Sequence, residues 1–278
     1  MNLESSVQVP IPLRSMTLVE QLALKTKFAG WITCPICGAF ARTRVEHDNF
    51  RETIICANCQ STNRNRQIAL VLCAAISKKL STSVTSLKQL KPDLSLTIYN
   101  TEASGPAHRQ LCHLPNYCCS EYFGPDVKSG DRQNGVLHQD LMALSFPDNS
   151  FDFILSSDVL EHVPNPYQAH REIFRTLKPG GAHIFTVPFY QHRVRDETRA
   201  MVSAEGKVTH LLEPIFHHDP LKSEGILVYT IFSFEMLVNL EALRFEVKLY
   251  RLYRPRYGIL GQNALVFEAV KSMDGPHA

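Results

Sequence analysis

The alternation of apolar and polar positions is clearest in the middle of the chain, where two apolar runs flank an amphipathic stretch. The first run, Phe151 to Leu155, ends in the polar residues Ser156 to Asp158, and the second covers His183 to Val187. Between them, the spacing from about Tyr167 to Leu177 predicts a helix. Apolar strands joined through a helix are typical of a parallel sheet covered on both faces. We therefore predict an α/β fold with a ligand crevice beyond the carboxyl ends of its strands.

The same strand–helix alternation extends to both sides of this unit. It predicts further strands at Leu96 to Tyr99, Asn116 to Ser120, Val136 to Leu137, Phe245 to Leu249 and Ala264 to Val270. Between Phe189 and Val228 the chain is too long for a simple connection, and long segments of this kind are usually functional. We therefore predict a sheet domain over residues 96–278 with a lid insertion at about 189–228.

Three shorter segments precede that domain. Residues 1–30 form a predicted helical lead-in, and residues 31–66 carry paired cysteines. Residues 67–95 read as a helix followed by a Ser/Thr-rich linker. The chain is therefore expected to hold one large domain behind a small module.

The small module contains two Cys-x-x-Cys pairs, which are separated by 18 residues. This spacing is typical of a closed four-thiolate zinc site, which is structural because no coordination position is left open. Ordinary buried thiols and a redox pair are the alternatives. The predicted ligands of Zn²⁺ are Cys34, Cys37, Cys56 and Cys59.

Composition and charge narrow the function classes. The 278 residues carry a net charge of +2 and are 44% hydrophobic, which suits a packed core and gives no basic footprint for non-specific nucleic-acid binding. The sequence has no apolar run long enough to span a membrane and no signal-peptide pattern at its start. A cytoplasmic protein with reduced cysteines is therefore expected.

Taken together, the residues from Asp140 to Gly181 resemble a known family. The segments DLMALSFPDNSFDFILSSDVLEHVPNP and EIFRTLKPGG look like the second half of a class I S-adenosylmethionine-dependent methyltransferase. The resemblance covers roughly Leu96 to Lys271. It implies a Rossmann-like, mostly parallel sheet with an antiparallel last strand. The cysteine module resembles the zinc ribbons fused ahead of many bacterial methyltransferases of unassigned substrate.

The resemblance also implies where S-adenosylmethionine would bind. The loop after the first strand of the domain would approach its amino-acid end, although that loop has one glycine and also reads as an ordinary strand–helix connection. An acid after the second strand would bind the ribose, an acid after the third the adenine, and the loop after the fourth the methionine part. The implied cofactor residues are Glu102, Ala103, Ser104, Gly105, Glu121, Tyr122, Asp140, Leu141, Ser156 and Asp158.

Histidines in the insertion are candidates for proton removal from a methyl acceptor. The run Ile-Phe-His-His-Asp-Pro resembles a Tyr/Phe-His-x-Asp-Pro signature of some of these enzymes, which favours His217 as base with Asp219 as its partner. His162 is a second acid/base candidate, or a side chain held behind the site. Metal binding by His192, His217 and Asp219 and a merely polar lid are the alternatives.

The resulting prediction is methyl transfer, most readily to an oxygen of a small molecule or of a sugar or lipid precursor. One alternative is an RNA methyltransferase that grips RNA with the zinc ribbon, which the near-neutral charge disfavours. The other is a non-catalytic zinc-ribbon binding protein with a degenerate Rossmann domain. The sequence indicates neither the acceptor nor an oligomeric state.

Overall fold

The computed structural model describes residues 16–203, 205–219, 222–261 and 264–273, without the side chains of residues 218, 219 and 222–224. Its helices are α1 (Leu18–Thr26), α2 (Asn63–Leu80), α3 (Gly105–Leu111), α4 (Pro166–Thr176) and α5 (Phe234–Ala242). Its strands are β1 (Trp31–Thr33), β2 (Phe40–Arg44), β3 (Ile55–Cys56), β4 (Ile98–Asn100), β5 (Tyr117–Glu121), β6 (Arg132–Gln133), β7 (Val136–His138), β8 (Phe151–Ser157), β9 (Leu177–Thr186), β10 (Glu197–Thr198), β11 (Ala200–Val202), β12 (Val208–His210), β13 (Phe216–Asp219), β14 (Lys222–Leu227), β15 (Thr230–Ile231), β16 (Phe245–Arg251) and β17 (Leu265–Lys271).

The main sheet has eight strands in the order β16-β17-β9-β8-β4-β5-β7-β6. Its pairs β4–β5, β5–β7 and β8–β9 are parallel, whereas β6 and β7 pair antiparallel. This mixed, mostly parallel sheet confirms the predicted α/β class. The described residues divide into two compact units, those within 1–119 and 248–268 and those within 120–247 and 269–278.

Strands β8 and β9 are the buried centre of the second unit. Residues 151–156 and 181–187 are buried, as their continuous apolar runs predict. Helix α4 ends at Thr176, one residue before the predicted end at Leu177, and β9 begins directly after it. The register of β8 against β9 shifts between Phe151 and Phe153. A Cβ on Gly181 would lie 2.9 Å from the Phe151 carbonyl oxygen, so this irregular start of β9 needs glycine.

The first unit contains the small sheet β1-β2-β3 and helix α2. Strand β2 alternates exposed and buried residues, as expected for a sheet with one packed face. Helix α2 starts at Asn63, before the predicted boundary, because the Thr62 side chain and Asn65 form a capping box there. The first turn of α2 consists of arginines and asparagines, so the spacing of apolar residues does not indicate it.

The insertion predicted as a long lid is built from short antiparallel pairs in the second unit. They are β10–β15, β11–β12 and β13–β14. Few of their described residues are buried, so the apolar alternation that reveals a half-buried strand is missing. At its start the insertion is fixed by Asp196, which accepts hydrogen bonds from the Ser233 amide (2.6 Å) and the Tyr167 hydroxyl.

Within the described ranges, no helix combines the length and apolarity that a membrane crossing requires.

Candidate functional site

Four cysteines form a compact cluster in the first unit. The Sγ atoms of Cys34, Cys37, Cys56 and Cys59 all lie within 4.8 Å of one another, and all four side chains are buried. The Cys34 and Cys59 sulfurs are 3.7 Å apart, too far for a disulfide. A tetrahedral site with Zn–S bonds of about 2.3 Å separates its sulfurs by about 3.8 Å. The donor set and its spacing therefore fit a structural zinc ion.

A buried arginine lies in the same unit and supports this cluster. The Arg66 guanidinium is fully buried and donates to the carbonyls of Ile54 (2.6 Å) and Ser61 (2.5 Å). The Ser61 hydroxyl oxygen is 3.5 Å from the Cys34 sulfur and 3.2 Å from that of Cys59. Burial lowers the pKa of Arg66, whereas the nearby cysteine charges oppose that shift. The guanidinium thus offsets part of the negative charge that four thiolates bring into the interior.

The crowded sulfurs shift the pKa values of one another. The hydrogen bond with Cys34 lowers the pKa of Cys56, whereas the same neighbour raises the pKa of Cys59. These opposite directions have one cause, since crowded sulfurs compete for few protons. A zinc ion held by the four cysteines would remove this competition, because each thiolate would then face a cation.

The predicted amino-acid-end loop lies in the first unit, between β4 and α3. Glu102 and Ala103 are half-buried and Ser104 is exposed. Gly105 begins α3 with φ +83°, a conformation in which other residues are strained. The loop therefore has the open backbone that its predicted role requires, and the role stays a prediction.

The predicted ribose and adenine residues lie in the second unit. Glu121 is the last residue of β5 and pairs in register with His138 of β7, while the next side chain, Tyr122, is 49% exposed. The Asp140 carboxylate accepts a hydrogen bond from the Met142 amide (2.8 Å), which fixes the turn after β7, and Leu141 is buried. Glu121 thus ends one parallel strand and Asp140 follows another, so both acids lie at carboxyl ends of strands.

The two predicted residues after β8 are placed differently from each other. Ser156 is buried, and its hydroxyl lies 2.8 Å from the Nε2 atom of His183. Burial lowers the pKa of His183 well below its ordinary value, so this pair stays inside the sheet as a neutral contact. Asp158 is half-buried at φ +53°, with its Oδ1 accepting from the Thr186 hydroxyl (2.9 Å). A non-glycine residue held in this conformation often marks a functional site.

A second cluster with metal-ligating side chains lies within the second unit. Glu161 and His162 belong to a short 3-10 helix after β8, and His217 lies on β13. The Glu161 Oε1 atom is 3.6 Å from His217 Nδ1 and 3.8 Å from His162 Nε2. Glu161 has no exposed surface, His162 is 11% exposed and His217 is 40% exposed. The structure therefore brings together the two predicted acid/base histidines around a buried carboxylate.

Glu161 is the functional candidate that the sequence did not single out. Burial raises the pKa of Glu161, whereas the nearby imidazoles of His217 and His162 act in the opposite direction. The predicted partner of His217 was Asp219, whose side chain lies outside the described part of the structure, so that role stays a prediction. An acid directly before His162 was the only available signal, and nothing local indicates that it is buried beside His217.

The central segment of the chain is similar to known methyltransferases. Residues 105–185 match a family model described as a methyltransferase domain. A demethylmenaquinone methyltransferase of Listeria welshimeri is 46% identical over 56 residues, which is 20% of this chain and 24% of that protein. An uncharacterized methyltransferase of Mycobacterium tuberculosis is 48% identical over 58 residues, covering 19% and 23% of the two chains. The chain thus spans about a quarter of the length of these curated relatives.

Solved structures give similar findings. An S-adenosylmethionine-dependent methyltransferase from Mesorhizobium loti aligns with a TM-score of 0.42 at 18% identity, covering 66% of this chain and 94% of that one. A Burkholderia thailandensis 1,6-didemethyltoxoflavin-N1-methyltransferase, with bound 1,6-didemethyltoxoflavin and S-adenosylhomocysteine, aligns with a TM-score of 0.40 at 16% identity, covering 72% and 76%. With its mixed, mostly parallel sheet and its match over residues 105–185, the chain has the Rossmann-like fold of the class I methyltransferases.

Proposed function

We propose that this protein transfers the methyl group of S-adenosylmethionine to an oxygen of a small molecule or of a sugar or lipid precursor. The observation that carries the proposal is the match of residues 105–185 to a methyltransferase domain. It is supported by the acids that follow strands of a mostly parallel sheet, where ligands of such sheets bind. Zn²⁺ bound by the four clustered cysteines would stabilise the first unit.

Each proposed cofactor contact has a distinct chemical task. The backbone from Glu102 to Gly105 would approach the amino-acid end, and Glu121 would accept hydrogen bonds from the ribose hydroxyls, with Tyr122 beside it. Asp140 would accept from the adenine amino group, with Leu141 as apolar cover, and Asp158 would lie by the methionine part. Ser156 is left out, because its buried hydroxyl already contacts His183.

The chemistry then requires little from the protein beyond positioning and proton removal. The bound cofactor supplies an activated methyl group, and the acceptor oxygen displaces its sulfur in line. The cluster of His217 and His162 would handle the acceptor proton, with Asp219 as the predicted second partner of His217. Replacing His217 by alanine should therefore lower turnover by about 10²–10⁴-fold while cofactor affinity stays unchanged.

Calorimetry with S-adenosylmethionine tests the proposal directly. The parent protein should bind the cofactor, and Glu121→Ala should weaken binding about ten- to a hundredfold, because a charged acceptor of a hydrogen bond contributes about 1.5–3 kcal/mol. Glu241→Ala, an exposed acid of α5, is the matched control and should bind like the parent. A parent protein that binds no cofactor would contradict the proposal and favour a non-catalytic binding protein.

One observation favours RNA as a second candidate acceptor. Trp31 and Phe40 stack with ring centroids 5.5 Å apart, although they are 58% and 71% exposed. Arg42 lies on the same exposed face of β2. Exposed aromatic rings beside arginines are a surface on which single-stranded bases can stack. Single-stranded RNA binding that falls with Trp31→Ala, together with methyl transfer to RNA but not to small-molecule pools, would select this candidate.

A further inference from the structure

The Glu161 carboxylate is buried without a matching donor among the described residues. It has no exposed surface, and neither of its oxygens has a hydrogen-bond partner in the part of the chain that the structure describes. Burying a carboxylate is unfavourable unless donors or a cation compensate for the lost water. The position of Glu161 therefore indicates a missing positive partner.

Two imidazoles face this carboxylate. The Glu161 Oε1 atom lies 3.6 Å from His217 Nδ1 and 3.8 Å from His162 Nε2. The two rings are nearly perpendicular, at 85°, with centroids 5.0 Å apart. The ligand atoms of all three residues lie within 4.8 Å of one another. One carboxylate oxygen and two ring nitrogens thus converge on a single small volume.

The hydrogen bond of His162 fixes which of its nitrogens can act as a ligand. Its Nδ1 atom lies 2.8 Å from the Leu227 carbonyl oxygen, which can only accept, so Nδ1 carries the proton. In the neutral ring Nε2 is then an acceptor 3.8 Å from the Glu161 oxygen, and two acceptors this close repel each other unless a proton or a metal ion lies between them. Histidines that bind metals usually donate their other N–H to a carbonyl or carboxylate in this way.

We propose that Glu161, His162 and His217 bind a divalent transition-metal ion. Bonds of about 2.0–2.2 Å to nitrogen and oxygen separate neighbouring ligand atoms by about 3–4 Å, near the observed distances. Two imidazoles with one carboxylate favour ions such as Zn²⁺, Co²⁺ or Fe²⁺ over Mg²⁺ and Ca²⁺, which prefer all-oxygen sites. Three protein ligands leave at least one coordination position open, as in catalytic rather than structural sites.

The open position suggests a role that rests on the proposed methyl transfer. An acceptor hydroxyl bound to the ion would have a lower pKa and lose its proton to water. Its oxygen would then bond to the methyl carbon, while the electron pair of the broken S–C bond stays on sulfur and S-adenosylhomocysteine leaves. In the metal-loaded protein His217 is a ligand, so the ion takes over its proton-accepting role. The acceptor class is therefore a hydroxyl compound that can chelate a metal.

Cobalt titration of the full chain, purified without added metal, tests the site. Co²⁺ bound to nitrogen and oxygen ligands shows visible absorption without the near-ultraviolet thiolate band that cysteine ligands produce. The parent should bind one such equivalent in addition to the metal of the cysteine cluster. Glu161→Gln and His217→Ala should weaken this equivalent at least about tenfold, as loss of metal-site groups does.

The matched control is His210→Ala, an exposed histidine of β12 in the same insertion, which should bind Co²⁺ like the parent. Unchanged melting temperatures of the variants would separate loss of a ligand from loss of fold. A parent that binds Co²⁺ only with the thiolate band, or equal weakening in His210→Ala, overturns the inference. Because S-adenosylmethionine binding is measured independently, failure of the metal site and failure of the proposed function give different results.

Discussion

Arg66 illustrates what a single buried side chain contributes to the first unit. Its guanidinium donates to the carbonyls of Ile54, Ser61, Tyr257 and Gly258 at 2.5 to 2.9 Å. It thereby joins the segment before α2 to the segment before β17 within one compact unit. Losing it would leave several buried carbonyls unpaired and would remove a cation from the cysteine cluster.

We therefore predict that Arg66→Met lowers the free energy of unfolding by about 3–5 kcal/mol, the usual effect of breaking a buried charged network. Urea unfolding followed by circular dichroism measures it. Arg64→Met is the matched control, because Arg64 pairs with Glu52 near the surface and such pairs contribute about 1 kcal/mol or less. Equal losses in both variants would contradict the role of Arg66.

Gly225 is a second position where one residue controls a larger feature. It has φ +77°, and a Cβ built on it would lie 2.5 Å from the carbonyl oxygen of His217. Gly206 has a similar φ of +79° but open space around its Cβ position. An alanine at either position would therefore meet the same backbone strain, but only at position 225 would its Cβ also be crowded.

Gly225→Ala should displace β13 from β14 and weaken Co²⁺ binding at His217. Gly206→Ala should only lower the free energy of unfolding by about 1–2 kcal/mol, the backbone strain that both variants share. Cobalt titration and thermal melting of the two variants provide the comparison. Identical cobalt affinity in the two variants would mean that the hairpin adjusts without moving His217.

At the scale of elements, helix α4 is fastened to the loop that precedes β8. Arg175 donates to the carbonyls of Leu144 and Phe146 and to Asp148, while the Glu172 carboxylate accepts from Arg175 (2.7 Å) and from the Leu144 amide (2.9 Å). The hydrogen bond from Arg175 lowers the pKa of Glu172. This contact fixes the Phe-Pro-Asp-Asn turn at the start of the buried strand.

A lowered folded-state pKa predicts a definite pH dependence. The stabilising contribution of Glu172 is fully present above its ordinary pKa of about 4.3 and is lost as pH falls through the lowered value. Glu172→Gln should therefore reduce stability by about 1 kcal/mol at pH 7 and by much less at pH 3. Urea unfolding of parent and variant at both pH values measures the difference, and any metal released in acid would be released from both proteins. Glu241→Gln should show no such trend.

The sequence predicted some elements well for a physical reason. Strands β8 and β9 are buried on both faces, so their apolar runs are continuous, and the cysteine pairs are spaced by the geometry of the cluster itself. The strands of the insertion escaped prediction because hairpins with few buried residues need no apolar alternation. Glu161 escaped because its burial depends on β13, which follows far along the chain. The spacing of residues along the chain indicates which strands are buried, whereas the cluster of Glu161, His162 and His217 forms only through tertiary contacts.

At the scale of the whole molecule, the cysteine cluster is the proposed structural zinc site of the first unit. We predict one equivalent of zinc per chain in protein purified without added zinc, with a further metal site in the second unit filled only on titration. Replacing Cys34 and Cys37 by serine should remove that zinc and lower the melting temperature, because structural metal binding is itself folding free energy. Elemental analysis and calorimetry measure both.

Cys112→Ser is the matched control for this pair, since Cys112 is exposed and lies outside the cluster. It should keep its zinc and its melting temperature. A double variant that retains both would show that the four sulfurs do not bind the metal.

Hydrogen bonds around Glu161 also hold the base of the β13–β14 hairpin in place. The Tyr229 amide donates to the Glu161 carbonyl (2.7 Å), the Val228 amide donates to Ile215 (2.8 Å), and Leu227 binds His162. The base of the β13–β14 hairpin is thus tied to the segment after β8, whereas β12 is exposed along its length. In deuterated water the amides of Val228 and Tyr229 should exchange far more slowly than those of β12. An ion held by His217 and Glu161 would slow that exchange further. The exchange rates of the Val228 and Tyr229 amides would therefore differ between the metal-free and the metal-loaded protein.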